Sequence, residues 1–307
     1  MVSYKFYTAD VFTDHILGGG NQLAVFPDAK GLSSEMMQKI AKEFNLSETA
    51  FVLPPQNSNN TKKLRIFTPS TELPFAGHPT IGTAHVLAAI GEILIENQST
   101  EIICEEGVGD VRVVIHSQDG KPVAANLTTA QLPEFIPNPP EASIIARILS
   151  LKTGDLPLGK WSPEAVSCGV SFLFVPVRDR AALGKISLNL ELWQKHLQAS
   201  QAPQLYVFCF DSELEGSDIR ARMFAPAMGI AEDPATGAAA SALAGYLGVR
   251  DQTESGLLQW RVEQGFEMGR PSILEVEAEK QAGQIVKVRV GGQSVMVSEG
   301  EIEIPDV

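Results

Sequence analysis

Residues 65–84, R-I-F-T-P-S-T-E-L-P-F-A-G-H-P-T-I-G-T-A, and residues 222–239, R-M-F-A-P-A-M-G-I-A-E-D-P-A-T-G-A-A, are one pattern written twice. Arg65, Phe67 and Pro69 match Arg222, Phe224 and Pro226. After a connection two residues shorter in the second copy, His78-Pro79-x-x-Gly82-x-Ala84 matches Asp233-Pro234-x-x-Gly237-x-Ala239. A self-match spaced by half the chain indicates two copies of one fold unit. The mismatched pair, His78 and Asp233, is then expected to look into one cleft.

Working outward, both halves read strand, strand, helix, strand, strand, Gly/Ala-rich helix, strands. Ser33 or Ser34 caps a helix over 34–44, and strands are expected at 3–13, 22–27, 48–53 and 62–68. The second half repeats this with strands at 171–177, 204–210 and 217–224 and a helix at 189–199. Further strands are expected at 92–97, 100–106, 109–116 and 122–128, and at 258–263, 272–279, 283–290 and 293–304. The helices expected at 79–90 and 234–247, containing GTAHVLAAI and GAAASALAGYL, have few polar residues on any face. A helix apolar all round is buried. The pattern predicts an α+β architecture of two domains, each a mostly antiparallel sheet around one central helix. Residues 129–141 hold four prolines and form the best candidate linker, dividing 1–128 from 129–292.

The chain has 307 residues, 44% hydrophobic, with a net charge of −13. That length favours two domains. An acidic chain without a Lys/Arg cluster excludes nucleic acid as the expected partner. No apolar run reaches the roughly 20 residues that span a bilayer, and MVSYKFYTADVF does not read as a signal peptide. The expectation is a cytoplasmic protein with no membrane partner. Cys104, Cys168 and Cys209 lie far apart, with no zinc spacing, and read as core residues. No Walker, GxGxxG, GxSxG or metal-ligand pattern occurs, so neither nucleotide binding nor a metal is expected.

In both motif copies a polar residue precedes proline. Proline suits the first helical position, which makes His78 and Asp233 expected N-caps. Free N–H groups of a first helical turn form an anion site, so two such starts are expected to cradle a carboxylate. A cap alone explains Asp233; it does not explain why one copy carries His. Glu48, in Leu46-Ser47-Glu48-Thr49-Ala50-Phe51, stands at the mouth of an apolar strand, where desolvation suits a carboxyl to proton transfer. Its second-half counterpart is near Gln204. His85 reads as a packed core residue.

Asp10-Val11-Phe12-Thr13, Gly20-Asn21-Gln22-Leu23-Ala24-Val25, Ser47-Glu48-Thr49, Arg65-Ile66-Phe67-Thr68-Pro69, Phe75-Ala76-Gly77-His78-Pro79-Thr80, Arg222-Met223-Phe224-Ala225-Pro226 and Glu232-Asp233-Pro234-Ala235-Thr236-Gly237, in this order, resemble the PhzF-like (phenazine-biosynthesis) family, which has the diaminopimelate epimerase fold. The resemblance implies two pseudo-symmetric barrel-like domains, a homodimer and no cofactor, with the last strand (293–307) completing the first half. It implies that Glu48 is the general acid/base, that His78 and Asp233 orient a small carboxylate substrate, and that Ser47, Gly77, Thr236 and Gly237 contribute to binding. Gln22 stands where the family commonly has Pro. The fold also hosts racemases with paired cysteines, but neither motif copy has a Cys near it. An isomerase is therefore the leading expectation. An epimerase or racemase and a non-catalytic small-acid binding protein are the alternatives.

Overall fold

The computed structural model describes residues 1–157 and 159–305. The chain divides into one unit of residues 1–130 and 290–307 and a second of residues 131–289.

In the first unit, β1 (Val2–Val11), β2 (Asn21–Phe26), α1 (Ser34–Phe44), β3 (Glu48–Leu53), β4 (Lys62–Phe67), β5 (Glu72–Leu73), α2 (Gly77–Ala89), β6 (Ser99–Glu106), β7 (Gly109–Gln118) and β8 (Lys121–Thr128) follow in order. β1 pairs antiparallel with β2, which runs parallel to β3, and β3 pairs antiparallel with β4. β4 runs parallel to β6, which leads by antiparallel steps to β7 and β8. The C-terminal strand pairs with both β8 and β1 and closes the ring. α2 fills it: every residue from Gly77 to Ala88 is buried. A Cβ on Gly82 would lie 2.5 Å from Val11 and 2.6 Å from Leu23, so close packing of helix on sheet requires glycine there. α1 lies outside the ring. Ser33 accepts the Met36 N–H at 3.2 Å to cap it, and Met37, Ile40 and Ala41 pack with Phe26, Phe51 and Phe67.

In the second unit, β9 (Glu134–Ile136), α3 (Ala142–Ile148), β10 (Glu164–Ser167), β11 (Ser171–Pro176), α4 (Arg180–Gly184), α5 (Leu190–His196), β12 (Gln204–Cys209), β13 (Ile219–Ala225), β14 (Ile230–Asp233), α6 (Gly237–Gly248), β15 (Gly256–Gln264) and β16 (Ser272–Gln281) follow, and β17 (Gln284–Ile304) begins here and continues from Val290 as the C-terminal strand of the first unit. The pairing repeats that of the first unit. β10 and β11 are antiparallel, β11 and β12 parallel, β12 and β13 antiparallel, β13 and β15 parallel, β15 and β16 antiparallel. β9 adds to β10. α6 is the buried central helix, while Leu149, Leu183, Trp193 and Leu197 pack α3, α4 and α5 against the strands.

The fold is the mixed α+β, strand-rich barrel that the buried helices predict. Local readings differ in several places. Residues 92–97 are not a strand: the Glu92 and Ile93 N–H groups bond Leu87 O at 2.8 and 3.1 Å, wrapping the chain around the end of α2. Ile93 is buried and Leu94 exposed, which imitates strand alternation. The two strands expected at 283–290 and 293–304 are one, β17. Gly291 does not turn the chain; its missing Cβ admits the backbone of Ala125 and Asn126. Residues 134–136, inside the Pro-rich stretch, form β9.

Candidate active site

In the first unit, Glu48 opens β3 and His78 lies in the first turn of α2. Parallel pairing of β2 with β3 sets Leu23 beside Glu48, directly after Asn21 and Gln22 in the same strand. His78 Nε2 comes 3.2 Å from Glu48 Oε2. His78 Nδ1 is 3.3 Å from Asn21 Nδ2, and the ring also bonds the Gln22 backbone. Glu48, His78 and Asn21 are all buried, and Ser47 is half-buried beside them in sequence.

His78 does not cap α2. The helix starts at Gly77, with Ala76 as its extended N-cap, so His78 and Pro79 occupy the first turn. Proline is tolerated there because first-turn N–H groups have no intrahelical partner. The imidazole is thereby directed at Glu48 instead of its own backbone.

In the second unit, Asp233 ends β14, and α6 starts at Gly237 with Thr236 as N-cap. Asp233 is not the cap either, because residues 233–236 are held as a turn by Gln264, the last residue of β15. Gln264 Nε2 donates to Asp233 O at 2.8 Å and to Thr236 Oγ1 at 2.9 Å. Gln264 Oε1 accepts the Tyr206 hydroxyl at 3.1 Å and the Thr236 N–H at 3.2 Å. Both amide donors and both lone pairs are used, which defines the amide's orientation. Thr236 Oγ1 accepts from Gln264 and so donates its one hydrogen to Asp233 Oδ2, at 2.5 Å. The chain Tyr206, Gln264, Thr236, Asp233 delivers a hydrogen bond to the carboxylate. Neither Gln264 nor Tyr206 is marked by the duplicated motif. A shorter repeat marks the strand: Glu105-Glu106-Gly107 ends β6 as Glu263-Gln264-Gly265 ends β15.

The matched residues of the duplicated motif form a clamp in each unit. Arg65 Nε and Nη2 bond the two Glu72 oxygens at 2.7 and 2.6 Å, and Arg222 bonds Glu232 at 2.7 and 2.8 Å. Each guanidinium lies over the next aromatic ring in the motif, Phe67 at 5.1 Å and Phe224 at 5.0 Å. The forks close the chain segment that leads into Gly77-His78 in one unit and Asp233 in the other.

Burial pushes His78 down to about 3 and His85 to about 4, so both rings are neutral at pH 7. The unfolded chain binds protons at these histidines below about pH 6.5, and the folded chain does not. Stability is therefore expected to fall as pH drops from about 6.5 toward 4, by about 1.4 kcal/mol per pH unit per histidine. His85→Leu should flatten the acid side of a plot of Tm against pH; an unchanged slope would contradict a neutral buried His85. Cys104, Cys168 and Cys209 are buried free thiols, and burial raises all three, Cys168 to about 12 and Cys209 to about 11. Among the described residues no three His, Cys, Asp or Glu side chains cluster as a metal site, and no helix is long and apolar enough to cross a membrane.

The family model for phenazine biosynthesis-like proteins matches residues 9–300. An uncharacterised isomerase of Mesorhizobium japonicum is 38% identical, with 99% of this chain and 100% of that protein covered. The trans-2,3-dihydro-3-hydroxyanthranilate isomerase of Pseudomonas aeruginosa is 37% identical over 97% of this chain and 98% of its own. The solved structure of a PhzF-family phenazine biosynthesis protein of Bacillus anthracis is similar at a TM-score of 0.87 and 25% identity, covering 99% of this chain and 100% of that one.

Proposed function

The chain belongs to the phenazine biosynthesis-like family and is an isomerase, and from that premise we propose that it moves a proton within a small carboxylate substrate, without a cofactor, through Glu48. The carboxylate takes a proton from one substrate carbon, holds it, and returns it to another, so the formula of the substrate is unchanged. His78 and Asp233 orient the substrate, and Ser47, Gly77, Thr236 and Gly237 contribute to binding it. The substrate proposed for the first assay is trans-2,3-dihydro-3-hydroxyanthranilate, acted on by the Pseudomonas aeruginosa relative. The protein is proposed to work as a homodimer in the cytoplasm.

The observation that carries this reading is the 3.2 Å approach of the neutral His78 ring to Glu48. A neutral imidazole places no fixed cation beside the carboxyl. Glu48 can then gain and lose a proton without an ion pair being broken, as a fixed cation beside it would require. The thiol alternative is poorly supported: burial holds Cys104, Cys168 and Cys209 in the protonated form, which suits packing and not proton shuttling.

EDTA-dialysed protein is expected to isomerise trans-2,3-dihydro-3-hydroxyanthranilate or, in a thermal-shift screen of small carboxylates, a ligand it binds. Turnover that returns only on adding metal would contradict a cofactor-free reaction. Loss of chirality at an α-carbon without isomerisation would favour an epimerase.

A further inference from the structure

Glu105-Glu106-Gly107 and Glu263-Gln264-Gly265 occupy matching strand ends. Glu105 accepts the backbone N–H groups of Gln56 and Asn57 at 2.8 and 2.6 Å. Glu263 accepts those of Glu213 and Leu214 at 2.9 and 2.6 Å, in the corresponding hairpin loop of the second unit. A Cβ on Gly107 would meet Pro74 Cα at 2.9 Å, and one on Gly265 would meet Pro234 Cα at 3.0 Å. Each strand end runs parallel to the strand that begins the duplicated motif. At the middle position, Glu106 Oε1 lies 2.6 Å from Thr80 Oγ1, and Gln264 Nε2 lies 2.9 Å from Thr236 Oγ1. The middle residue is a carboxyl facing Thr80 in the first unit and an amide N–H facing Thr236 in the second, although the two threonines are not matched positions of the duplicated motif.

The hydrogens decide what the carboxyl must be. Thr80 Oγ1 also lies 2.8 Å from Ala76 O, the carbonyl that accepts the first bond of α2. A hydroxyl has one hydrogen, and a backbone carbonyl can only accept. An ionised Glu106 would leave one of these two close oxygen–oxygen contacts without a hydrogen. A protonated Glu106 satisfies both: it donates to Thr80, and Thr80 donates to Ala76. That is the pattern of the second unit, where Gln264 donates to Thr236 and Thr236 donates onward to Asp233.

We propose that Glu106 is a neutral carboxylic acid in the folded protein at neutral pH, the counterpart of Gln264, and that the two are positioning residues for His78 and Asp233. The positioning role rests on the function proposed above; the protonation state does not. Oε2 of Glu106 is shut off from water and has no hydrogen-bonding partner, a cost far smaller for a neutral acid than for an anion. Burial raises the group to about 8, against a lowering by Thr80. Among the described residues no cation acts on Glu106. On β4, Lys62 pairs with Glu92 and Arg65 with Glu72, while Lys63 acts on Glu105. On β7, Asp110 bonds Asn60. On α2, His78 and His85 are neutral, and on β6 the Cys104 thiol is held protonated.

The sign of the pH effect follows. Between about pH 4.5 and 8 the folded chain holds a proton that the unfolded chain has lost, so this group's contribution to stability falls as pH rises. The test compares wild type, Glu106→Gln and Glu106→Ala by Tm from about pH 5 to 9, and by turnover. Relative to Glu106→Gln, wild-type Tm should fall with rising pH and level off above about pH 8. Glu106→Gln should keep turnover at pH 7 within about threefold and lose the alkaline decline, while Glu106→Ala should lose about tenfold or more. Parallel Tm curves for wild type and Glu106→Gln, or equal damage in the two variants, would overturn the proposal. The 13C shift of the Glu106 carboxyl in labelled wild type gives the same answer without substitution: titration near 8 is expected, and near 4.5 would overturn it. The Tm and 13C readings need no substrate. A normal Tm difference with no turnover would count against the proposed function alone.

Discussion

Glu48→Gln is expected to lower kcat by about 10²–10⁴-fold, the range for removing a positioned general acid/base, with KM changed severalfold at most. Glutamine has the shape of glutamate and can still meet His78 across the 3.2 Å that separates the two side chains. It cannot carry a proton from carbon to carbon. Glu48 opens β3, whose pairing with β2 and β4 is made by backbone groups and does not depend on the side chain's charge. Fold and Tm should therefore survive while the chemical step is lost. That split, read in steady-state kinetics beside a melting curve, separates a catalytic Glu48 from a structural one. A variant that turns over at the wild-type rate would remove Glu48 from the reaction.

The largest effect on stability is expected at Arg222. Its side chain is 9% exposed and its partner Glu232 18%, against 21% and 42% for the equivalent Arg65 and Glu72. Arg222 Nη1 also donates to Leu183 O at 3.0 Å and Ile186 O at 3.2 Å, tying α4 to β13. Arg222→Ala leaves the half-buried Glu232 carboxylate without its donor and takes a donor from Ile186 O and from Leu183 O, the latter still met by the Ile186 N–H at 3.3 Å. Breaking a buried pair from one side costs about 3–5 kcal/mol, or roughly 10 °C in Tm for a unit of this size. Arg65→Ala removes a wetter pair with no such carbonyls and should cost about 1 kcal/mol. Calorimetry of the two variants measures the asymmetry; equal losses would contradict it. The geometry is duplicated, and the energy is not, because only the second copy is desolvated.

Much of the fold was legible because burial leaves a mark on composition. α2 and α6 have no polar face, so they had to be central, and the alternating runs around them had to be sheet. The reading failed where a backbone bond or a close approach outranked pattern. Residues 92–97 alternate like a strand, yet two N–H groups turn back to Leu87 O. Gly291-Gly292 reads as a break, yet glycine there admits a neighbouring strand.

At the candidate site, the motif marks His78 and Asp233 but misplaces them as caps. A sequence shows that a first turn is present without showing which residue begins it, and proline fits anywhere within that turn. The approach of Glu48 to His78 depends on strand register, which short strands do not print in sequence. Gln264 was missed for a different reason. A polar residue ending a strand looks solvated, and only the match of Glu263-Gln264-Gly265 to Glu105-Glu106-Gly107 separates it from an ordinary strand end. The three cysteines were correctly read as core residues, since all are buried.

Glu48 as the proton carrier is tested most directly by isomerising trans-2,3-dihydro-3-hydroxyanthranilate in D2O with EDTA-treated wild type and Glu48→Gln. Wild type is expected to deliver at most one deuterium, to one carbon of the product, and Glu48→Gln none above the uncatalysed rate. Deuterium delivered by Glu48→Gln at the wild-type rate would contradict it.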